Sequence, residues 1–398
     1  MLLLLLGLLF PQEPAAAPAP RDLAALLRSE PKLAAVLDDA RGFRLQVLLA
    51  EPVVTAKGRL ELVRSSLGDE RQYFYPASSI KLCAGIAALL QLNQENRARG
   101  TGLGLATSVS IEATFPGDVR IVGDTSNVVD GSLSVGHLLR KMLLVSDNAA
   151  FNHCYELCGQ KGLNEAMWSG GFASVRLWHR LAESRTLAEN QRTRALVLRN
   201  GDHEQVVASR DAGIELENGL WHDLDVGSAY LQGGKKVDTP MSFAQKNAIL
   251  LQDLQDVLVE TVRPEIDTGK LGFPGLSTEQ RAFVVKALGE LPRESTNPRY
   301  DPAKVPDHSC KFILRGVRKV IPAEHVRIYE KIGRAYGFSV ENAYVEDTRT
   351  GRGFFLAIVL YTNPDGVLND DQYAYAELAD PFLDGVGELI TRAVMRGP

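Results

Sequence analysis

Ser78-Ser79-Ile80-Lys81 sets a hydroxyl and an amine three residues apart. On a helix, positions i and i+3 share a face, so the amine at Lys81 can reach the hydroxyl of Ser78. If burial or neighbouring charge lowers its pKa, that amine can accept the serine proton and create a nucleophile. A helix N-terminus at such a serine adds free backbone N–H groups and a positive dipole end, both suited to an oxyanion. The spacing alone is a weak signal, because Ser29-Glu30-Pro31-Lys32 repeats it. Context separates the two. Ser29 lies in a polar leader helix interrupted by Pro31, whereas Ser78 follows a strand-like run and opens a strongly apolar segment. Ser146-Asp147-Asn148 is a rarer cluster between two helical runs. A short loop there can aim side chains into a cleft, although Ser, Asp and Asn also cap helices.

The elements that must carry these residues can be read from periodicity. Residues 21–40 have helical spacing, and Phe43–Leu48 alternates as a strand. Leu60–Val63 and Gln72–Tyr75 are further strand candidates. The segment from Ser78 toward Gln94 is apolar almost all round, the mark of a buried helix. Helical pattern returns at 134–145 and at 149–157, with Gly159 as a stop. Residues 184–240 carry short strand-like runs and Asn-Gly or Gly-Gly turns, and read as a hairpin-rich, exposed insertion. Helices are expected at 242–262 and 278–290, and a surface loop at 291–310. Three strands follow, Lys331–Val340, Asn342–Asp347 and Gly353–Tyr361, with turns near Glu341 and at 349–351, then a helix over Asp380–Met395. The expectation is an α+β fold. An antiparallel sheet built from both chain ends (21–77 and 311–398) is flanked by helices and carries an inserted helical lobe (78–310).

Bulk properties exclude some classes. The 398 residues are 45% hydrophobic and 23% charged, with a formal net charge of -5. That balance gives no electrostatic case for nucleic acid. Residues 2–10 form an apolar block too short to span a bilayer, followed by Pro and Ala. Residues 1–20 are therefore read as a secretory leader, and the chain as exported to the periplasm or exterior. Later segments of spanning length all carry charge. Four cysteines, Cys83, Cys154, Cys158 and Cys310, permit two bridges in three pairings. Cys154 and Cys158 read first as apolar-face residues and only weakly as a metal site.

Ser78-x-x-Lys81 and Ser146-Asp147-Asn148, in that order and near the customary spacing, resemble the class A β-lactamase and penicillin-binding superfamily. Its third signature, Lys-Thr-Gly, stands as Lys331-Ile332-Gly333 before a strand and a final helix. The resemblance implies a serine hydrolase. Ser78 is acylated, Lys81 activates it, and Ser146 passes a proton to the leaving nitrogen. Asn148 holds the substrate amide and Lys331 attracts its carboxylate. Gly333 belongs to the same binding strand, and the backbone N–H groups of Ser78 and Arg334 form the oxyanion hole. The chemistry needs no metal and no cofactor. The partner is a small β-lactam or cell-wall peptide, and the protein is expected to act as a monomer.

Three departures matter. Ile332 replaces the usual hydroxyl. The loop glutamate that activates the deacylating water falls on Ala182 within Ser174–Glu183. Glu183 is one position away and reads first as a surface acid. The second and third motifs also stand further apart than class A needs. A D-alanyl-D-alanine peptidase-like enzyme, or a catalytically weak binding protein of the same fold, are the alternatives.

Overall fold

The computed structural model describes residues 19–396. The leader reading of residues 1–20 falls almost wholly outside them. No helix among the described residues is long and apolar enough to cross a membrane.

The fold is α+β. Its main sheet is antiparallel, in the order Val326–Glu330, Phe338–Asp347, Arg352–Tyr361, Gln46–Val54, Leu60–Leu67. Gly333–Ala335 pairs further along Phe338–Asp347. Strand alternation gives the sheet two apolar faces. Leu48, Ala50, Phe355, Ala357 and Val359 face one core, which holds the buried helix Lys81–Arg99. Val47, Leu49, Phe354, Leu356 and Ile358 face a second core with Leu23, Leu27, Phe382, Val386 and Ile390. The helix Leu251–Val262 ties the first face to the sheet. Gln255 donates to Leu48 O at 2.9 Å, and Asn342 donates to Leu254 O at 2.8 Å.

Several element expectations need correction. Gln72–Tyr75 is not a strand: it makes one isolated bridge, Gln72 to His222, and sinks Tyr73, Phe74 and Tyr75 into the core. The turn expected near Glu341 lies at Tyr336-Gly337, where φ is 55° and 83°. Glu341 instead sits buried inside Phe338–Asp347. The sequence reading also missed the edge strand Val326–Glu330. The helix expected from 242 begins at Leu251. Gly159 (φ 70°, ψ 167°) is non-helical and breaks the run as expected, but a second helical stretch follows at once and continues to Ser169. A Cβ there would lie 2.4 Å from Ala212 Cβ, so the kink lets the 184–240 segment approach.

That segment is pinned rather than free. Leu196–Asn200 pairs with Ser108–Ile111 and with His203–Val207. Ala229–Gln232 pairs in parallel with Val367–Leu368, near the C-terminus. All four cysteines are free thiols, three of them buried. The two bridges that an even count permits are not formed.

Candidate active site

Ser78 lies on a short 3-10 turn, Ala77–Ile80, that feeds the helix Lys81–Arg99. Ala77 adopts a left-handed φ of 48°, a conformation that costs energy in a non-glycine residue and lifts the next side chain out of the helical path. Ser78 is partly exposed, and Lys81 is fully buried behind it.

Ser146 also has a positive φ, 66°. Its neighbour Asp147 caps the helix Asn148–Ser169 by accepting from Ala150 N at 2.8 Å. Asp147 also pairs with Lys141 at 3.3 Å. The middle residue of the loop thus does the capping, and the outer two turn inward. Lys81 Nζ donates to the Ser146 carbonyl and, at 2.6 Å, to Asn148 Oδ1. It lies 3.2 Å from Ser146 Oγ. A neutral amine has two N–H donors and one lone pair. The two carbonyl acceptors use the donors, which leaves the lone pair for a hydroxyl proton.

Lys331 reaches the same loop. It is buried, and its Nζ donates to Ser146 Oγ and to Ile332 O, both at 2.9 Å. Burial, then the charge of Lys331, pushes Lys81 down to about 6 against an upward pull from Asp147. Burial likewise lowers Lys331 to about 8, with Cys310 and Glu330 pulling upward. Near neutral pH the pair therefore holds one basic amine and one ammonium, with the Ser146 hydroxyl between them.

Gly333 sits against the nucleophile turn. A Cβ there would lie 2.3 Å from Pro76 O and 3.0 Å from Ser78 N, so only glycine permits this approach. Arg334 follows Gly333 on the same short strand. Its side chain leaves the cleft, lies over the rings of Phe312 and Tyr375, and pairs with Asp380. Ile332 packs into the second core behind the sheet. Glu183 is not a free surface acid. It accepts from Arg185 Nε at 2.7 Å and Asn152 Nδ2 at 3.1 Å, and lies 3.4 Å from Arg194 Nη2. Ala182 beside it is left-handed, with φ 51°.

The loop that carries Glu183 is held by a buried ion cluster that the sequence reading missed. Arg180 meets Glu156 in a two-point pair at 2.7 and 2.9 Å, and Arg194 Nε adds a third contact at 2.9 Å. A signal existed in the run Trp178-His179-Arg180, since an arginine between apolar residues needs a buried acid. No group of metal-binding side chains occurs among the described residues.

Residues 66–213 match a family described as the beta-lactamase enzyme family. Over this segment the chain is similar to the β-lactamases. The match covers less than half of the chain, yet it contains Ser78, Lys81, Ser146 and Asn148, and so supports the resemblance read from the motifs. It also contains the hairpin of Leu196–Val207, so the first half of the supposed insertion lies inside the β-lactamase-like segment. Among solved structures, a β-lactamase from Desulfarculus baarsii is 16% identical, with a TM-score of 0.49, covering 93% of this chain and 97% of its own. One from Burkholderia vietnamiensis is 15% identical, with a TM-score of 0.48 and the same coverages. One from Burkholderia ambifaria is 16% identical, with a TM-score of 0.49, covering 95% and 100%. No curated protein matches the chain.

Proposed function

We propose that the protein is a serine hydrolase that forms an acyl-enzyme on Ser78, acting on β-lactams or related cell-wall peptide amides after export. The observation that carries this reading is the convergence of Lys81 and Lys331 on one hydroxyl, Ser146 Oγ. In the proposed reaction Lys81, neutral, takes the Ser78 proton as the oxygen attacks the carbonyl. The backbone N–H groups of Ser78 and Arg334 hold the resulting oxyanion. The proton passes from Lys81 through Ser146 to the leaving nitrogen. Lys331 draws the substrate carboxylate, and Asn148 orients the amide. Water then hydrolyses the ester.

One observation favours slow hydrolysis of that ester, and with it the peptidase-like, penicillin-binding alternative. Glu183 is engaged with Arg185, Asn152 and Arg194, which leaves it poorly placed to activate water. A chromogenic cephalosporin and a fluorescent penicillin separate the readings. Rapid colour change supports a β-lactamase. A lasting fluorescent adduct that disappears in Ser78→Ala supports the penicillin-binding reading. Neither signal, in folded protein, removes the hydrolase reading.

A further inference from the structure

A cavity of about 570 Å³ lies beside the candidate site. Tyr75, three residues before Ser78, and Tyr336, two residues after Arg334, form its inner wall. Their rings meet edge to face at 5.2 Å. The outer wall comes from the 229–246 part of the inserted segment, with Tyr230, Met241 and Lys246. This wall is not a loose flap, because Ala229 and Tyr230 pair with Val367 and Leu368.

The charged lining is unevenly matched. Arg180 is tied to Glu156, and Glu183 to Arg185, which also reaches Asp118. Lys246 has no ion-pair partner among the described residues, and burial lowers its ammonium with no acid to offset the cost. His179, stacked on Tyr75 at 6.3 Å, is near enough to feel that charge. Burial first and Lys246 second push it to about 4. Its Nδ1–H donates to Arg180 O at 2.6 Å, and its Nε2 is left unpartnered. The imidazole is therefore neutral and cannot share the cationic role. A half-buried cation in a cavity shared with three tyrosines, with the neighbouring acid already engaged, is complementary to an anion on an apolar stem.

We propose that this cavity receives the acyl side chain of the substrate and that Lys246 selects side chains ending in a carboxylate. The inference rests on the hydrolase reading and narrows its substrate class. Lys246 binds the side chain without touching the reacting bond, so it sets specificity.

The test uses two penicillins identical except for a hexanoyl or an adipoyl acyl group. The rate constant for adduct formation on the intact protein is followed by mass spectrometry. The adipoyl compound is expected to react roughly tenfold faster, as one charge-assisted contact supplies. Lys246→Met should abolish that ratio, and Lys246→Arg should keep it. Equal rates in the parent protein, or a ratio that survives Lys246→Met, overturn the proposal. Calorimetry on Ser78→Ala reads the cavity without the chemistry. If neither compound forms an adduct or is hydrolysed but adipoyl binding is preferred and depends on Lys246, the cavity assignment stands and the acyl-enzyme reading falls. Absence of adduct, of hydrolysis and of preferential binding overturns both.

Discussion

At the scale of single residues, the proposed reaction asks opposite protonation states of the two lysines, and their environments separate their pKa values. Lys81 at about 6 is a base above that pH, and Lys331 at about 8 keeps its charge below it. Acylation should therefore rise with pH through about 6, as Lys81 loses its proton, and fall through about 8, as Lys331 loses its charge. A stopped-flow profile of second-order acylation against pH tests this bell shape. A flat profile across pH 5 to 9 would reject the assignment. The same shift bears on stability. A lysine depressed from 10.5 makes the unfolded chain bind more protons than the folded one between about 6 and 10.5, so stability increases with pH across that window. Lys81→Met removes this burden. It should slow acylation by about 10²–10⁴-fold and yet raise the urea midpoint at pH 7. The residue types at 78, 81, 146, 148 and 331 were legible in the sequence because chemistry restricts them to a few choices. Arg334 was legible only as backbone, since nothing in its neighbours announces that Phe312, Tyr375 and Asp380 claim its side chain.

At the scale of elements, the loop 174–183 depends on a charge cluster rather than on its own propensity. Burial pulls Glu156 upward, but the hydrogen bonds and charges of Arg180 and Arg194 outweigh it, and its carboxyl sits below the ordinary value. Removing one partner of a buried pair costs about 3–5 kcal/mol. Arg180→Met should fall at the low end, because Arg194 still contacts Glu156. Urea unfolding checks the loss, and amide exchange at 178–183 should speed up with it. The contribution of Glu156 is present above its ordinary pKa and disappears as pH falls through the lowered folded value, so parent and variant should converge in acid. A cost below about 1 kcal/mol at pH 7 would show that the cluster is not what holds the loop. Periodicity located the long helices well, because a buried helix repeats its apolar residues over many turns. It failed at Glu341. An acidic residue reads as a turn, whereas here it is buried on a strand beside Glu330, with Lys311 3.7 Å from Glu330. It failed again at Gln72–Tyr75, where all four residues are buried but only Gln72 makes a bridge.

At the scale of the whole molecule, the site is assembled from distant parts of the chain, Ser78 and Ser146 from the helical part and Lys331 from the C-terminal part. That both chain ends build the sheet was readable from strands at each end. The two cores were not, because alternation along a strand shows two faces without showing what covers each one. The strands Gln46–Val54 and Arg352–Tyr361 contribute side chains to both cores at once. Disturbance of one layer should therefore reach the other. Ile390 lies in the second core, fully buried behind the sheet. Ile390→Ala removes methylene packing worth about 2–5 kcal/mol. The three tryptophans, Trp168, Trp178 and Trp221, all lie within the helical part. None of the three belongs to the second core, so their fluorescence reports a region outside it. If the protein unfolds as one cooperative unit, Ile390→Ala lowers the urea midpoint seen by tryptophan fluorescence as much as that seen by circular dichroism, while acylation of the folded variant at low temperature keeps its rate. If the sheet layer melts separately, the circular dichroism midpoint moves and the fluorescence midpoint does not. The strands common to both cores could not then be transmitting stability between them.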